Sequence, residues 1–243
     1  VREKIAQMTV ECFAAESAVW MVAHYIDSGC DDYSVEAAIT KVFASEAMQR
    51  TAYESLQIAG GSGYMRELPY EQYARDARIL PICEGTTEIL RLYIALSSLK
   101  DVGASLKELQ SAVSSIFNDP IKGFGVLSGY AERRFARATG LGAAVKVSTP
   151  VAPQLRPLVG IYESYARATA RVAESVLRKY GKGISEQQHA LRRVADLMID
   201  LFVGLCVVSR ADSIIRSDPA SAAQVLDIAK IFTHQARRRM VRN

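Results

Sequence analysis

Apolar positions along the chain recur at three- and four-residue spacing almost from the first residue, the period of an amphipathic helix rather than a strand. Ile5, Met8, Cys12, Ala15, Val19, Val22 and Ile26 form one such stripe, and Gly29 with Asp31-Asp32 stops it at a polar turn. Ser34 is read as the cap of a second helix, with Glu36 in its first turn. Val35, Ala38, Ile39, Val42, Phe43, Ala47, Tyr53, Leu56 and Ile58 mark its apolar side. The short turn between the two predicts antiparallel packing, with Trp20 and Phe43 in the core. Pro69 opens a short helix through Tyr70, Glu71, Tyr73 and Ala74. A further helix runs from Thr87 to Lys100.

The pattern then changes. Glycines at 103, 123, 125, 129, 140 and 142 punctuate a segment with short helices expected at 105–117 and 127–138. Leu106, Leu109, Val113, Ile116 and Phe117 make an apolar stripe near Lys107, Lys122, Arg133, Arg134 and Arg137, a combination that suits an anionic bilayer surface or a linker packed on its own protein. Long periodicity returns over 153–180, with Leu155, Leu158, Ile161, Tyr165, Ala168, Val172, Val176 and Leu177 on one side. Ser185 to Gln188 reads as a capping box for a helix bearing Leu191, Val194, Leu197, Met198, Leu201, Phe202, Leu205 and Val208, which Ser217-Asp218-Pro219 breaks. Gln224 to Met240 is the last amphipathic helix. The fold class is therefore all-α, in three parts: a helical domain at 1–103, a Gly-rich linker at 104–152 and a second helical bundle at 153–243.

Composition narrows the function classes. A net charge of +4 over 243 residues is too mild to imply nucleic acid. The run Arg237-Arg238-Arg239 with Arg242 is read as a solvated helix end, where cations suit the dipole. Cys12, Cys30, Cys83 and Cys206 lack zinc, redox or disulfide spacing, and buried reduced thiols in a cytoplasmic or matrix-like compartment are expected. His24, His189 and His234 are isolated, so no metal site is expected. No apolar run reaches the length of a membrane span. The chain begins with Val1 inside an apparent helix, as an incomplete or processed polypeptide would.

Chemistry concentrates at Pro81-Ile82-Cys83-Glu84-Gly85-Thr86-Thr87-Glu88-Ile89-Leu90-Arg91. Glu84 is a lone carboxylate among apolar neighbours, an environment expected to raise its affinity for a proton toward that of a general base. The backbone N–H groups of Thr86 and Thr87, after Gly85, would form a helix N-terminus able to hold charge on a carbonyl oxygen. Taken alone, Gly85 to Glu88 is equally an ordinary helix start with an acid in its first turn. Upstream, Gln57-Ile58-Ala59-Gly60-Gly61-Ser62-Gly63-Tyr64 is either a glycine C-cap or a loop open to close approach by something flat or charged. It is neither a Walker nor a dinucleotide-fold loop, since no strand precedes it.

Taken together and in order, Gln57 to Tyr64, Pro69-Tyr70-Glu71, Arg75-Asp76-Ala77-Arg78-Ile79 and Ile82 to Arg91 resemble the carboxy-terminal helical domain of acyl-CoA dehydrogenases, over residues 1 to about 103. The last third resembles the very-long-chain branch of that family. The resemblance implies an FAD-dependent α,β-dehydrogenation of long-chain acyl-CoA to trans-2-enoyl-CoA within fatty-acid β-oxidation. Glu84 would remove the α-proton, and its backbone N–H would help hold the thioester oxygen. Gly85 would lie against the substrate, and Thr86, Thr87 and Glu88 would meet the flavin. Gln57, Ile58, Ala59, Gly60 and Gly61 would contact the nucleotide part of FAD across a homodimer interface. An electron-accepting flavoprotein is the implied redox partner, and in the very-long-chain branch the Gly-rich region associates with the inner membrane. Thr87-Glu88 departs from the family's usual Asn followed by Asp, Glu or Gln, and the family's amino-terminal and middle domains have no counterpart here. Two other readings stay open. One is a catalytically idle helical module docking on a membrane or larger assembly. The other is an acyl-CoA oxidase, which shares the base and the flavin.

Overall fold

The computed structural model describes residues 1–99 and 150–243. The Gly-rich linker and its expected short helices and membrane-facing stripe lie outside the described residues. All regular structure within them is helical. The first half holds α1 (Arg2–Asp27), α2 (Ser34–Ala59), the single turn α3 (Gly61–Tyr64) and α4 (Tyr70–Ile79). It ends with α5, residues 87–99. The second half opens with a 3-10 turn, Pro153–Leu155, followed by α6 (Arg156–Tyr180) and a second 3-10 turn, Gly181–Glu186. The helices α7 (Gln188–Ser217) and α8 (Ala222–Arg242) complete it.

Helices α1 and α2 run antiparallel, as their ties show: Lys4 pairs with Glu54, Ser55 Oγ donates to Met8 Sδ, and Arg50 Nε donates to Glu11 at 3.0 Å. Which face of α1 is buried differs from the sequence expectation. Val10, Ala14, Ser17 and Ala18 are inside, whereas Ile5, Val19 and Ile26 are about half exposed. Trp20 is exposed too, while Phe43 is buried as expected. Helix α1 packs against α2, α7 and α8 at once, and its alanines and serine let those backbones come close. Dispersion at short range favours that face over the bulkier stripe. The stripe on α6 is rotated similarly, with Leu158, Tyr162, Thr169 and Ala173 buried and Val172 exposed.

Two expected caps form otherwise. Ser34 is the first residue of α2 rather than its cap, and Asp32 Oδ1 accepts from both the Ser34 N–H (3.1 Å) and its hydroxyl. The capping box at 185–188 is not made, because Gly181–Glu186 coils as a 3-10 turn and α7 starts at Gln188 without a side-chain cap. Of the thiols, only Cys206 is buried, while Cys12 and Cys30 are exposed, and all four are free. Small size lets Cys12 and Cys30 sit on outward helix and turn positions at little cost.

One hydrophobic cluster runs through both halves, from Val10, Val42 and Ile94 to Leu191, Val203 and Phe232. Phe43 meets Phe232 edge-on at 5.9 Å between ring centroids. Polar ties cross the same seam: Gln235 Nε2 donates to Gln7 Oε1 at 2.6 Å, and Arg210 pairs with Glu16 at 2.8 Å. The arginine run is only partly a solvated end, since Arg239 binds the buried Asp200 at 2.7 Å. Burial pushes the Asp200 carboxyl above its ordinary range, and Arg239 pulls it only part of the way back. No described helix is long and apolar enough to cross a membrane.

Candidate functional site

Between α4 and α5 the chain makes a tight, internally bonded turn. Helix α4 ends when the Ile79 carbonyl accepts from both Ile82 N–H and Cys83 N–H at 2.9 Å. The turn closes where Thr87 N–H donates to the Pro81 carbonyl at 3.0 Å. Thr86 caps α5 through its hydroxyl, which accepts from Ile89 N–H at 3.2 Å. The helix-start reading of Gly85 to Glu88 therefore holds, with Thr86 rather than Gly85 as the cap. Because Thr87 N–H is committed to Pro81, it is not a free donor for a ligand oxygen, contrary to the sequence expectation.

Within this turn, Glu84 has φ 56°, and among the described residues no other non-glycine residue has positive φ. Gly85 follows at φ 90°, and a Cβ there would meet Leu90 Cδ2 at 3.2 Å. A left-handed conformation costs an ordinary residue about 1–2 kcal/mol, and such strain concentrates at functional sites. Glu84 is exposed rather than sheltered, with Cys83 half-buried and Ile82 and Ile89 exposed beside it. The compact hydrogen bonding of the turn directs its buried side to Pro81 and Thr87, which leaves Glu84 on the outer side. The Glu88 carboxyl is held below its usual range, chiefly by its own backbone N–H and then by the Thr86 hydroxyl.

A residue the sequence did not single out holds this turn from outside. The ammonium of Lys41, on α2, donates to the Gly85 carbonyl at 2.7 Å. Arg91, the last residue of the sequence motif, sits one turn into α5. It bridges Glu46 of α2 and Asp196 of α7, both at 2.7 Å, which fixes α5 to both halves. No local sequence signal marks either role, because both depend on partners distant in the chain.

The cofactor candidates fall into two separate pieces. Thr86, Thr87 and Glu88 open α5, and Thr87 and Glu88 line a groove of about 560 Å³ with Arg91, Gln188, His189 and Arg192. Gln57 and Ile58 are exposed at the end of α2, Ala59 is half-buried, and Gly60 and Gly61 are exposed with open space above them. Gly60 has φ 61°, and a Cβ on Gly63 would meet the Leu56 carbonyl oxygen at 2.7 Å, so this bend needs its glycines. Among the described residues no hydrogen bond joins the Gln57–Gly61 stretch to the Glu84 turn. The three histidines are exposed, and no described group of His, Cys, Asp and Glu could hold a metal ion.

Comparison with known proteins bears on both halves. Residues 1–99 match the family model "Acyl-CoA dehydrogenase, C-terminal domain", and residues 153–243 match "ACAD9/ACADV, C-terminal domain". The very long-chain specific acyl-CoA dehydrogenase of Homo sapiens is 39% identical over 211 residues, covering 87% of this chain and 32% of the relative. Its Rattus norvegicus counterpart is 38% identical over the same shares. A probable acyl-CoA dehydrogenase, FadE10, of Mycobacterium tuberculosis is 27% identical over 97% of this chain and 38% of the relative. This chain thus spans about a third of the length of the curated relatives it matches. An acyl-CoA dehydrogenase complexed with FAD from Bacillus anthracis shares the fold, with a TM-score of 0.73, 23% identity, and coverage of 98% of this chain and 40% of that one.

Proposed function

We propose, for a chain that belongs to the acyl-CoA dehydrogenase family through its carboxy-terminal part, that Glu84 is the base that removes the α-proton of an acyl-CoA thioester. The observation that carries this is the backbone of Glu84, a strained left-handed conformation imposed on a carboxylate residue in a turn tied from both ends. Strain of that kind fixes where a side chain starts, which proton abstraction from carbon requires. With Thr87 N–H taken, the donors left for the thioester oxygen are the N–H groups of Glu84 and Thr86, and Gly85 leaves room for the thioester beside them. Exposure of Glu84 on this chain fits a site whose other walls come from outside the described residues.

The residues present fit one side of a flavin nucleotide. The groove beside Thr87 and Glu88 is in the size range of ligand sites, and the bare Gly60-Gly61 backbone is open to close approach. Bound FAD would supply the acceptor for the β-hydride. Thr86, Thr87 and Glu88 would hold its flavin end, and Gln57 to Gly61 its nucleotide end. The separation of the two pieces is what a loop serving the partner of a homodimer requires. Long acyl chains are the proposed substrates, supported by the very-long-chain relatives, with an electron-accepting flavoprotein as oxidant of the reduced enzyme. The proposed division remains a dehydrogenase domain at 1–103, a linker at 104–152, and a bundle at 153–243 that braces α5 through Asp196. Mitochondrial and bacterial relatives support a matrix or cytoplasmic location.

The test is exchange of the α-proton of bound acyl-CoA for solvent deuterium, in the holoenzyme and in Glu84→Gln. Exchange should disappear in the variant while acyl-CoA binding stays. Undiminished exchange would assign the base elsewhere. An idle docking module is the second reading, favoured by the exposure of Glu84, and it predicts no exchange in either protein.

A further inference from the structure

We propose that Lys41 is a positioning residue for the Glu84 turn, acting through the Gly85 carbonyl. The inference rests on the reading of Glu84 as the base. Lys41 stands two turns into α2, flanked by the buried Thr40, Val42 and Phe43, so its stem starts from the rigid core. Its ammonium reaches 44 positions along the chain to donate to the Gly85 oxygen at 2.7 Å. That oxygen belongs to the second of two successive residues with positive φ. It lies in the Gly85–Thr86 peptide, whose plane a glycine leaves free to turn, and a charge-assisted donor on the carbonyl selects one orientation. The other restraints act elsewhere: the Pro81–Thr87 bond closes the loop, and the Leu90 side chain lies under Gly85. Among the described residues only Lys41 bonds the carbonyl of the Gly85–Thr86 peptide, which follows the two left-handed residues. The same bond polarises the Gly85–Thr86 peptide, which strengthens the Thr86 N–H as a donor.

Lysine is suited to this because its ammonium is a point charge on a long stem, whereas Met keeps the stem and removes the donor. Lys41→Met and Lys41→Arg separate the two contributions. Each would be made in the FAD-loaded holoenzyme and read by rapid-mixing flavin reduction, by equilibrium acyl-CoA binding, and by amide hydrogen exchange across residues 81–90. In Lys41→Met, reduction should slow about 10- to 100-fold, the cost of a displacement on the order of 1 Å. Acyl-CoA affinity should stay within about threefold, exchange in 81–90 should quicken, and Arg should restore most of the rate. Reduction within about twofold of the parent in Lys41→Met, or equal losses with Met and Arg, overturns the proposal. If Glu84→Gln reduces flavin at the parental rate, the base assignment fails separately. Hydrogen exchange then decides for Lys41 alone: faster exchange in Lys41→Met upholds the clamp, and unchanged exchange overturns it.

Discussion

Gly204 lies inside α7 where that helix meets α6, and a methyl there would fall within the ring of Tyr162. Tyr162 is 1% exposed, and its hydroxyl donates to the Thr233 hydroxyl of α8 at 3.1 Å, so one ring joins three helices. Burial pushes the Tyr162 hydroxyl well above its ordinary pKa, so it stays a neutral donor. Gly204→Ala sets opposing effects against each other. Helix propensity favours Ala by about 1 kcal/mol. Overpacking a filled core costs about 1–3 kcal/mol, and displacing the ring leaves the fully buried Thr233 hydroxyl without its donor, about 1–2 kcal/mol more. The net is a loss of about 1–4 kcal/mol. Gly160→Ala is the control, since Gly160 is exposed in α6 with open space where its Cβ would go. It should gain about 0.5–1 kcal/mol. Urea unfolding followed by far-UV circular dichroism measures both. If Gly204→Ala matched or exceeded the parent in stability, the close approach of α6 and α7 described above would be wrong.

Arg91→Met leaves two partly buried carboxylates, Glu46 and Asp196, with only their longer contacts to Arg50 (3.9 Å) and Arg192 (3.8 Å), and should cost about 1–3 kcal/mol by the same unfolding assay. Arg91→Lys should recover less than half, since an ammonium cannot reproduce the guanidinium fork on both carboxylates. Burial pushes the Cys206 thiol from its ordinary value near 9 up to about 12. The folded protein therefore keeps that proton where the unfolded chain loses it, and stability from Cys206 is complete below about pH 9 and lost as pH rises through about 12. Cys206→Ala should flatten that alkaline decline in denaturant titrations. At neutral pH a thiol reagent should label Cys30 first, Cys12 more slowly because partial burial and Glu16 push its thiol up, and Cys206 only on unfolding.

Helices were legible in the sequence because their period does not depend on neighbours. Which face of a helix is buried does depend on them. On α1 the expected stripe follows residue size, whereas the packed face follows how closely three other helices can approach, which favours Ala14, Ser17 and Ala18. The caps erred for a similar reason. Ser34 and Ser185 are good capping residues, but Asp32 and a 3-10 turn took over those starts. At the candidate site the residues Glu84 to Glu88 were legible as a motif through family resemblance. The left-handed backbone of Glu84 was not, because no residue type announces it. Lys41 reads in sequence as a polar position on an amphipathic helix, and only the fold brings it to Gly85. The shelter expected for Glu84 from its apolar neighbours did not appear, because adjacent side chains in a tight turn diverge rather than enclose.

Flavin bleaching on mixing the holoenzyme with a long-chain acyl-CoA tests the role of Glu84 most directly. Glu84→Gln keeps the length and polarity of the side chain and removes only its ability to take a proton. The account predicts that the variant still binds acyl-CoA with parental affinity while its flavin stays oxidised. Bleaching of the variant at the parental rate would contradict it.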